Sequence, residues 1–155
     1  MNPSRILGIC LIFAAGFACG AATFIRTQAR PLPPVRECRS PEECLSDRQV
    51  LGLVTSAGLH LAPGLLPHIV AQSRDCVGID SPKKDAPVDL VFFPRRDVLN
   101  LLDIDPDDEG YVMGCFALMR QVADQRGLHD WRVMTNGPGL QEIAYLHFHL
   151  LQGVQ

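Results

Sequence analysis

Two histidines stand two residues apart near the C-terminal end of the chain, in the run Tyr145-Leu146-His147-Phe148-His149-Leu150-Leu151. The alternation is that of an extended strand, which predicts Tyr145, His147 and His149 on one face and Leu146, Phe148 and Leu150 on the other. Imidazoles at that spacing can engage one ligand together, either a metal ion or a phosphate. A neutral imidazole nitrogen is also a good nucleophile near pH 7, and attack on phosphorus would leave a phosphoramidate reactive enough to turn over. A zinc site would need a third ligand, which Asp89 or His129 could supply only if the fold brought them near. The expectation is therefore no metal and no cofactor. His60 and His68 read as loop or surface residues.

Those histidines need a scaffold, and the preceding residues describe one. Residues 76–79 read as a short strand entering a polar turn over 80–87. Residues 88–93 form a clear strand stopped by Pro94-Arg95-Arg96, with the two arginines a solvated strand end. Asp105 is expected to cap a helix whose first position is Pro106, with acids along its first turn. Tyr111, Val112, Cys115, Phe116, Met119, Val122 and Ala123 recur every three or four residues as one apolar face, and Gly127 ends the helix. Residues 131–134 make the next strand and 135–140 a glycine-rich loop into the histidine strand. Cys76 and Cys115, in a strand and a helix, read as small buried apolar residues. Between 50 and 69 Gly, Pro and Leu mix, which allows a helical turn before Gly58 and a short strand near Ile69-Val70. The sum is an α+β domain with a mostly antiparallel sheet and one long helix packed on it.

The N-terminal part differs in kind. After Arg5, residues 6–25 carry no charge, and Arg26, Arg30 and Arg36 follow, interleaved with Pro31, Pro33 and Pro34. About twenty mostly apolar residues suffice to cross a hydrocarbon core. The layout is thus a membrane anchor or signal segment over 1–30, a linker over 31–48 and a folded domain over 49–155. An uncleaved single-pass anchor, as in a bacterial inner membrane, is favoured, with a transmembrane helix preceding the domain. The arginines after the segment place the domain in the cytoplasm. Cys38 and Cys44, spaced like a small disulfide loop, place it outside, so the side is open. Ser40-Pro41 reads as a helix start. A formal net charge of −3, without a long basic stretch, argues against a nucleic-acid partner.

Several motif elements occur in a telling order. A strand ends in Asp80, a turn holds Pro82 and Ala86-Pro87, and an apolar strand closes in Phe93-Pro94-Arg95-Arg96. After the helix come Arg132-Val133-Met134-Thr135-Asn136-Gly137, then Gly139 and Gln141-Glu142-Ile143 before the histidines. Over residues 70–153 this order resembles the histidine-triad (HIT) superfamily. The resemblance implies a HIT-like fold and a nucleotide or nucleotide-linked partner. It puts His147 at the second triad position, whose imidazole attacks phosphorus to give a nucleotidyl-histidine. His149 takes the third, bonding to phosphate or the leaving group, and Tyr145 stands where the first histidine would be. Asp80 would accept from ribose hydroxyls and Asn136 would support the phosphate or a histidine. Gly139 and Gln141 would belong to the loop whose backbone amides approach the phosphate. Asp89 stands where many members carry another histidine. The implied activity is that of a membrane-tethered nucleotide phosphate hydrolase or nucleotidyl transferase. Alternatives are a hydrolase of a nucleotide-linked lipid such as CDP-diacylglycerol, and a non-catalytic binding or interaction module. The family also implies a possible homodimer through the long helix and adjoining strand.

Overall fold

A computed structural model of the chain describes residues 3–25, Thr27 and residues 47–153. The apolar run at the start forms helix α1 (Pro3–Phe24), and α2 (Asp47–Leu61) follows. Strands β1 (Ile69–Gln72), β2 (Cys76–Asp80) and β3 (Val88–Pro94) lead to the long helix α3 (Glu109–Arg126), then β4 (Trp131–Met134) and β5 (Phe148–Gln152). The sheet order is β1-β2-β3-β5-β4 with every neighbouring pair antiparallel. The last strand thus inserts between β3 and β4, which puts its side chains in the middle of the sheet. β3, covered on both faces, is apolar throughout except for Asp89.

On one face Cys76, Leu90, Phe92, Phe148 and Leu150 meet Cys115, Leu118, Met119, Val122 and Ala123 of α3. On the other, Val77, Val91 and Phe93 meet Leu59 of α2 and Tyr145. Each large apolar side chain buried this way contributes roughly 1.5–3 kcal/mol. A glycine sets the approach of α3: a Cβ on Gly114 would lie 2.6 Å from the Cβ of Asp75 in the β1–β2 turn. The neighbouring residue then reaches the strand, and Cys115 is bonded to Cys76 (S–S 2.00 Å, Cα–Cα 5.0 Å). The two cysteines are therefore a covalent strut, not the separate apolar residues expected. Periodicity places each on a buried face but does not show that the two positions oppose one another.

α3 begins at Glu109, three residues later than expected. The Asp105–Asp108 segment is instead a turn in which the Asp105 N–H donates to Asp108 Oδ2 (3.2 Å) and the Asp107 N–H to Asp105 Oδ1 (2.9 Å). The helix end is as expected, with Gly127 left-handed at φ 59° and its N–H bonded to Ala123 and Asp124 carbonyls. The histidine strand is shorter than its alternation suggests. Residues 141–147 lie outside the sheet because their amides go elsewhere: Ala144 N–H to Arg48 O (2.9 Å) and Leu146 N–H to Val98 O (2.7 Å). α2 runs past Gly58 rather than ending before it, and residues 47 and 48, assigned to the linker, are its first turn.

α1 exposes Ile9, Leu11, Ile12, Phe13 and Phe17. No helix among the described residues is long and apolar enough to cross a membrane. The helix start at Ser40-Pro41 and the Cys38–Cys44 loop fall outside the described residues.

Candidate functional site

In the β3–β5 ladder His149 is the register partner of Val91, which puts its side chain on the face of Asp89, Val91 and Phe93. Asp89 is completely buried. Its Oδ1 accepts from His149 Nδ1 (2.9 Å) and its Oδ2 from the Asp85 N–H (3.1 Å). A carboxylate only accepts here, so Nδ1 of His149 carries the proton. Nε2 is then the nitrogen that can gain or lose one.

His147 lies just ahead of β5, held by Thr135 Oγ1, which donates to the His147 carbonyl (2.8 Å). Its ring is buried, and Nδ1 donates to the Tyr145 carbonyl at 2.7 Å. That bond leaves the lone pair on Nε2. Burial pushes the His147 pKa below the usual histidine range, and the neighbouring His149 adds to this against the Tyr145 bond and Glu142. The ring is therefore neutral at pH 7. Its centroid is 5.3 Å from that of His149 and 5.6 Å from that of Phe93.

Both histidines line a cavity of ≈ 180 Å³. Its floor is apolar, from Ile79, Val91 and Phe93, and its walls are two loops. The β2–β3 turn contributes Ser81 and Lys83, and the segment between β4 and β5 contributes Asn136, Leu140, Glu142 and Ile143. Lys83 Nζ and Glu142 Oε1 meet at 2.7 Å and join the two walls, with both side chains largely exposed. Their contact raises the lysine pKa and lowers that of the glutamate, through the hydrogen bond first and the opposite charge second. An apolar slot beside two imidazoles, lined also by the Asn136 side chain and the Lys83–Glu142 pair, suits a flat ring carrying a polar group.

The expected site residues are only partly brought together. His147, His149 and Asn136 share the cavity. Tyr145 does not line it: its side chain is fully buried, edge-on to Phe93, and its hydroxyl donates to the Pro94 carbonyl at 2.6 Å. Its contribution to the site is its own carbonyl, the anchor of His147. Asp80 ends β2 and pairs with Lys84 (3.1 Å), and the β2 residue on the cavity is its neighbour Ile79. Gln141 is buried and donates to Leu99 O (3.2 Å), a strut behind the loop. The Gly139 carbonyl accepts from Arg48 (3.2 Å). Among the described residues no group of three or more His, Cys, Asp or Glu is arranged to hold a metal. By sequence Asp89 could either repel a phosphate or, beside His147 or His149, hold a tautomer; one acid in an otherwise apolar strand signals a buried partner, and here that partner is His149. Ser81, Lys83, Phe93 and Glu142 were not expected there, and loop residues carry no periodicity that would mark them.

No protein-family model matches the chain. It is 30% identical over 88 residues to an uncharacterised HIT-like protein of Synechococcus elongatus, an alignment spanning 55% of this chain and 77% of that protein. Its fold is similar to that of a HIT family hydrolase from Clostridium thermocellum, with TM-score 0.58, 23% identity, and coverage of 66% of this chain and 90% of that one. It is similar also to a histidine triad nucleotide-binding protein from Candida albicans (TM-score 0.53, 14% identity, 63% and 71% covered). At these identities the structural likeness speaks for the fold, an α+β domain on a five-stranded antiparallel sheet.

Proposed function

The chain belongs to the HIT-like family, and from that premise we propose that it binds a nucleotide and hydrolyses or transfers it through a nucleotidyl intermediate on His147. The observation that carries this reading is the Tyr145 carbonyl on His147 Nδ1, because it commits the lone pair of a neutral, buried ring to Nε2 in the cavity wall. In the first half-reaction Nε2 forms a bond to phosphorus as the bond to the leaving group breaks. The leaving group takes a proton from Nε2 of His149, whose Nδ1 stays on Asp89. The modified His147 ring is cationic and keeps its Nδ1–H on the carbonyl. In the second half-reaction His149 Nε2 takes a proton from water, the water oxygen bonds to phosphorus and the P–N bond breaks, restoring both rings. Asn136 and Lys83, both on the cavity, would steady the phosphate oxygens, Lys83 by exchanging Glu142 for phosphate.

The test is to incubate the full chain with a nucleoside phosphoramidate labelled in the nucleotide and to quench in alkali, where phosphoramidates persist. The expected result is protein-bound label and turnover, both absent in His147→Ala. Turnover at the wild-type rate in that variant would overturn the mechanism.

We propose further that α1 anchors the domain at a membrane. Large apolar side chains stand exposed along it, among them Ile12, Phe13 and Phe17. The Cys76–Cys115 bond favours the oxidising side. This arrangement also supports a second reading, in which the nucleotide is carried by a lipid such as CDP-diacylglycerol. Retention of the full chain in membranes after alkaline carbonate, and faster hydrolysis of that lipid than of soluble nucleotides, are the expected results. Release by carbonate would remove the anchor.

A further inference from the structure

Beyond the end of β3 lies a second cavity of ≈ 450 Å³, lined by Leu59, His60, Arg74, Arg95, Arg96 and Tyr111. It shares no lining residue with the histidine cavity. Three arginines therefore border it: one from the β1–β2 turn and two from the residues immediately after β3.

Such charges on a solvated surface ordinarily diverge. Here two of the three are fixed by the protein. Arg95 Nε donates to the Ser73 carbonyl (3.0 Å) and Nη2 to Gln72 Oε1 (3.1 Å). Both partners are neutral oxygens, so they orient the guanidinium without cancelling its charge. Arg96 Nε pairs with Asp108 Oδ1 at 3.0 Å, and that carboxylate is 4% exposed. Arg74 is 95% exposed, with its Nε 3.9 Å from Asp75 Oδ1, a distance at which pairing is weak. Among the described residues three cations thus face two carboxylates, only one of them closely paired. His60 and Tyr111 add an imidazole, oriented by its Nδ1 on Ser56 O (2.7 Å), and a phenol from the first turn of α3.

We propose that this cavity binds a ligand through a phosphomonoester or diphosphate group, at a site separate from the histidine cavity. A planar guanidinium fork matches two phosphate oxygens at once, and pre-oriented forks lose little freedom on binding. The volume lies within the range of small-ligand pockets. Uncompensated positive charge in a concave wall also concentrates anions before contact. The proposal stands whether or not His147 is a nucleophile.

The test is calorimetric titration of the detergent-solubilised full chain with inorganic pyrophosphate. One site is expected in the wild type. Arg74→Glu and Arg95→Gln should each weaken it by about tenfold or more, and His147→Ala should leave it unchanged. Arg74→Glu is the clean probe because among the described residues that side chain has only a distant pairing with Asp75, so its melting temperature should equal the wild type's. Displacement of pyrophosphate by dihexanoyl phosphatidic acid, but not by dihexanoyl phosphatidylcholine, would identify a lipid headgroup as the source of the phosphate. Binding of pyrophosphate without that displacement would identify a soluble anion. Absence of binding at millimolar pyrophosphate, or binding lost in His147→Ala or indifferent to both arginine variants, would overturn the site.

Discussion

Asp89 and His149 meet diagonally across the β3–β5 ladder: their backbones pair with Leu151 and Val91, yet Oδ1 and Nδ1 stand 2.9 Å apart. The carboxylate is completely buried, and its second oxygen holds the Asp85 N–H of the turn that walls the cavity. One side chain therefore orients an imidazole and a loop together. Asn at this position has a single carbonyl oxygen for two donors, so its NH2 must face either the Asp85 N–H or the His149 Nδ1–H. Asp89→Asn is expected to lower stability by about 1–3 kcal/mol and turnover by about a hundredfold. Denaturant melts and steady-state kinetics on the same preparations check both, and full activity would show that His149 needs no fixed partner.

The lowered pKa of His147 sets a pH dependence with a definite sign. Below about pH 6.5 the unfolded chain takes a proton on this ring that the folded protein refuses, so stability falls as pH drops through that range. The loss stops growing once pH is below the folded pKa. Nucleophilic attack should nevertheless persist somewhat below pH 6.5, because the folded ring stays neutral there. Melting temperature against pH for wild type and His147→Gln is the measurement, and the variant's curve should be the flatter of the two between pH 5 and 7.

Tyr145→Phe removes the hydroxyl that donates to the Pro94 carbonyl. A loss of about 1 kcal/mol in stability is expected, with kcat unchanged. Tyr145→His, which by position would restore a first triad histidine, should instead unfold or weaken the domain, since a polar ring would replace a phenol at 0% exposure among apolar neighbours. A faster enzyme from that substitution would show that the position can reach substrate.

Lys83 and Glu142 are exposed and join the two walls of the cavity. Lys83→Ala should raise KM for a nucleotide by about tenfold at low salt and leave the melting temperature alone, since exposed ion pairs add little to stability. An unchanged KM would place the phosphate away from this loop.

The disulfide is a stability element with a predictable size. Closing a sequence separation of 39 residues is worth about 4 kcal/mol in the chain-entropy view. Reduction, or Cys76→Ser with Cys115→Ser, should lower the melting temperature markedly without moving the histidines, which the Asp89 and Tyr145 bonds hold. Equal melts with and without reductant would contradict this.

Much of the frame was legible because periodicity reports burial. The apolar runs at 76–79 and 88–93 and the face of α3 are consequences of a sheet covered on both sides. The candidate site was legible as far as His147 and His149 sharing one face, where alternation placed two imidazoles together. It was less so at Tyr145 and Asp80. Alternation shows which residues share a face but not whether that face at Tyr145 is core or cavity, and here α2 covers it through Leu59. In the same way the turn that precedes α3 answers to Arg96, a partner distant in sequence that no local capping pattern could reveal. Asp89 and the cysteines share this property: each is explained by a residue on another element.

The strut between Cys76 and Cys115 also changes what a protease could do to the molecule. Everything from 77 to 114 lies inside the closed loop, including the exposed Lys83-Lys84 turn that trypsin would prefer. A cut there leaves two fragments still covalently joined, with β2 fixed to α3 and β3 still paired with both β2 and β5. Limited digestion should therefore give an intact band on a non-reducing gel that separates into two only when thiol is added.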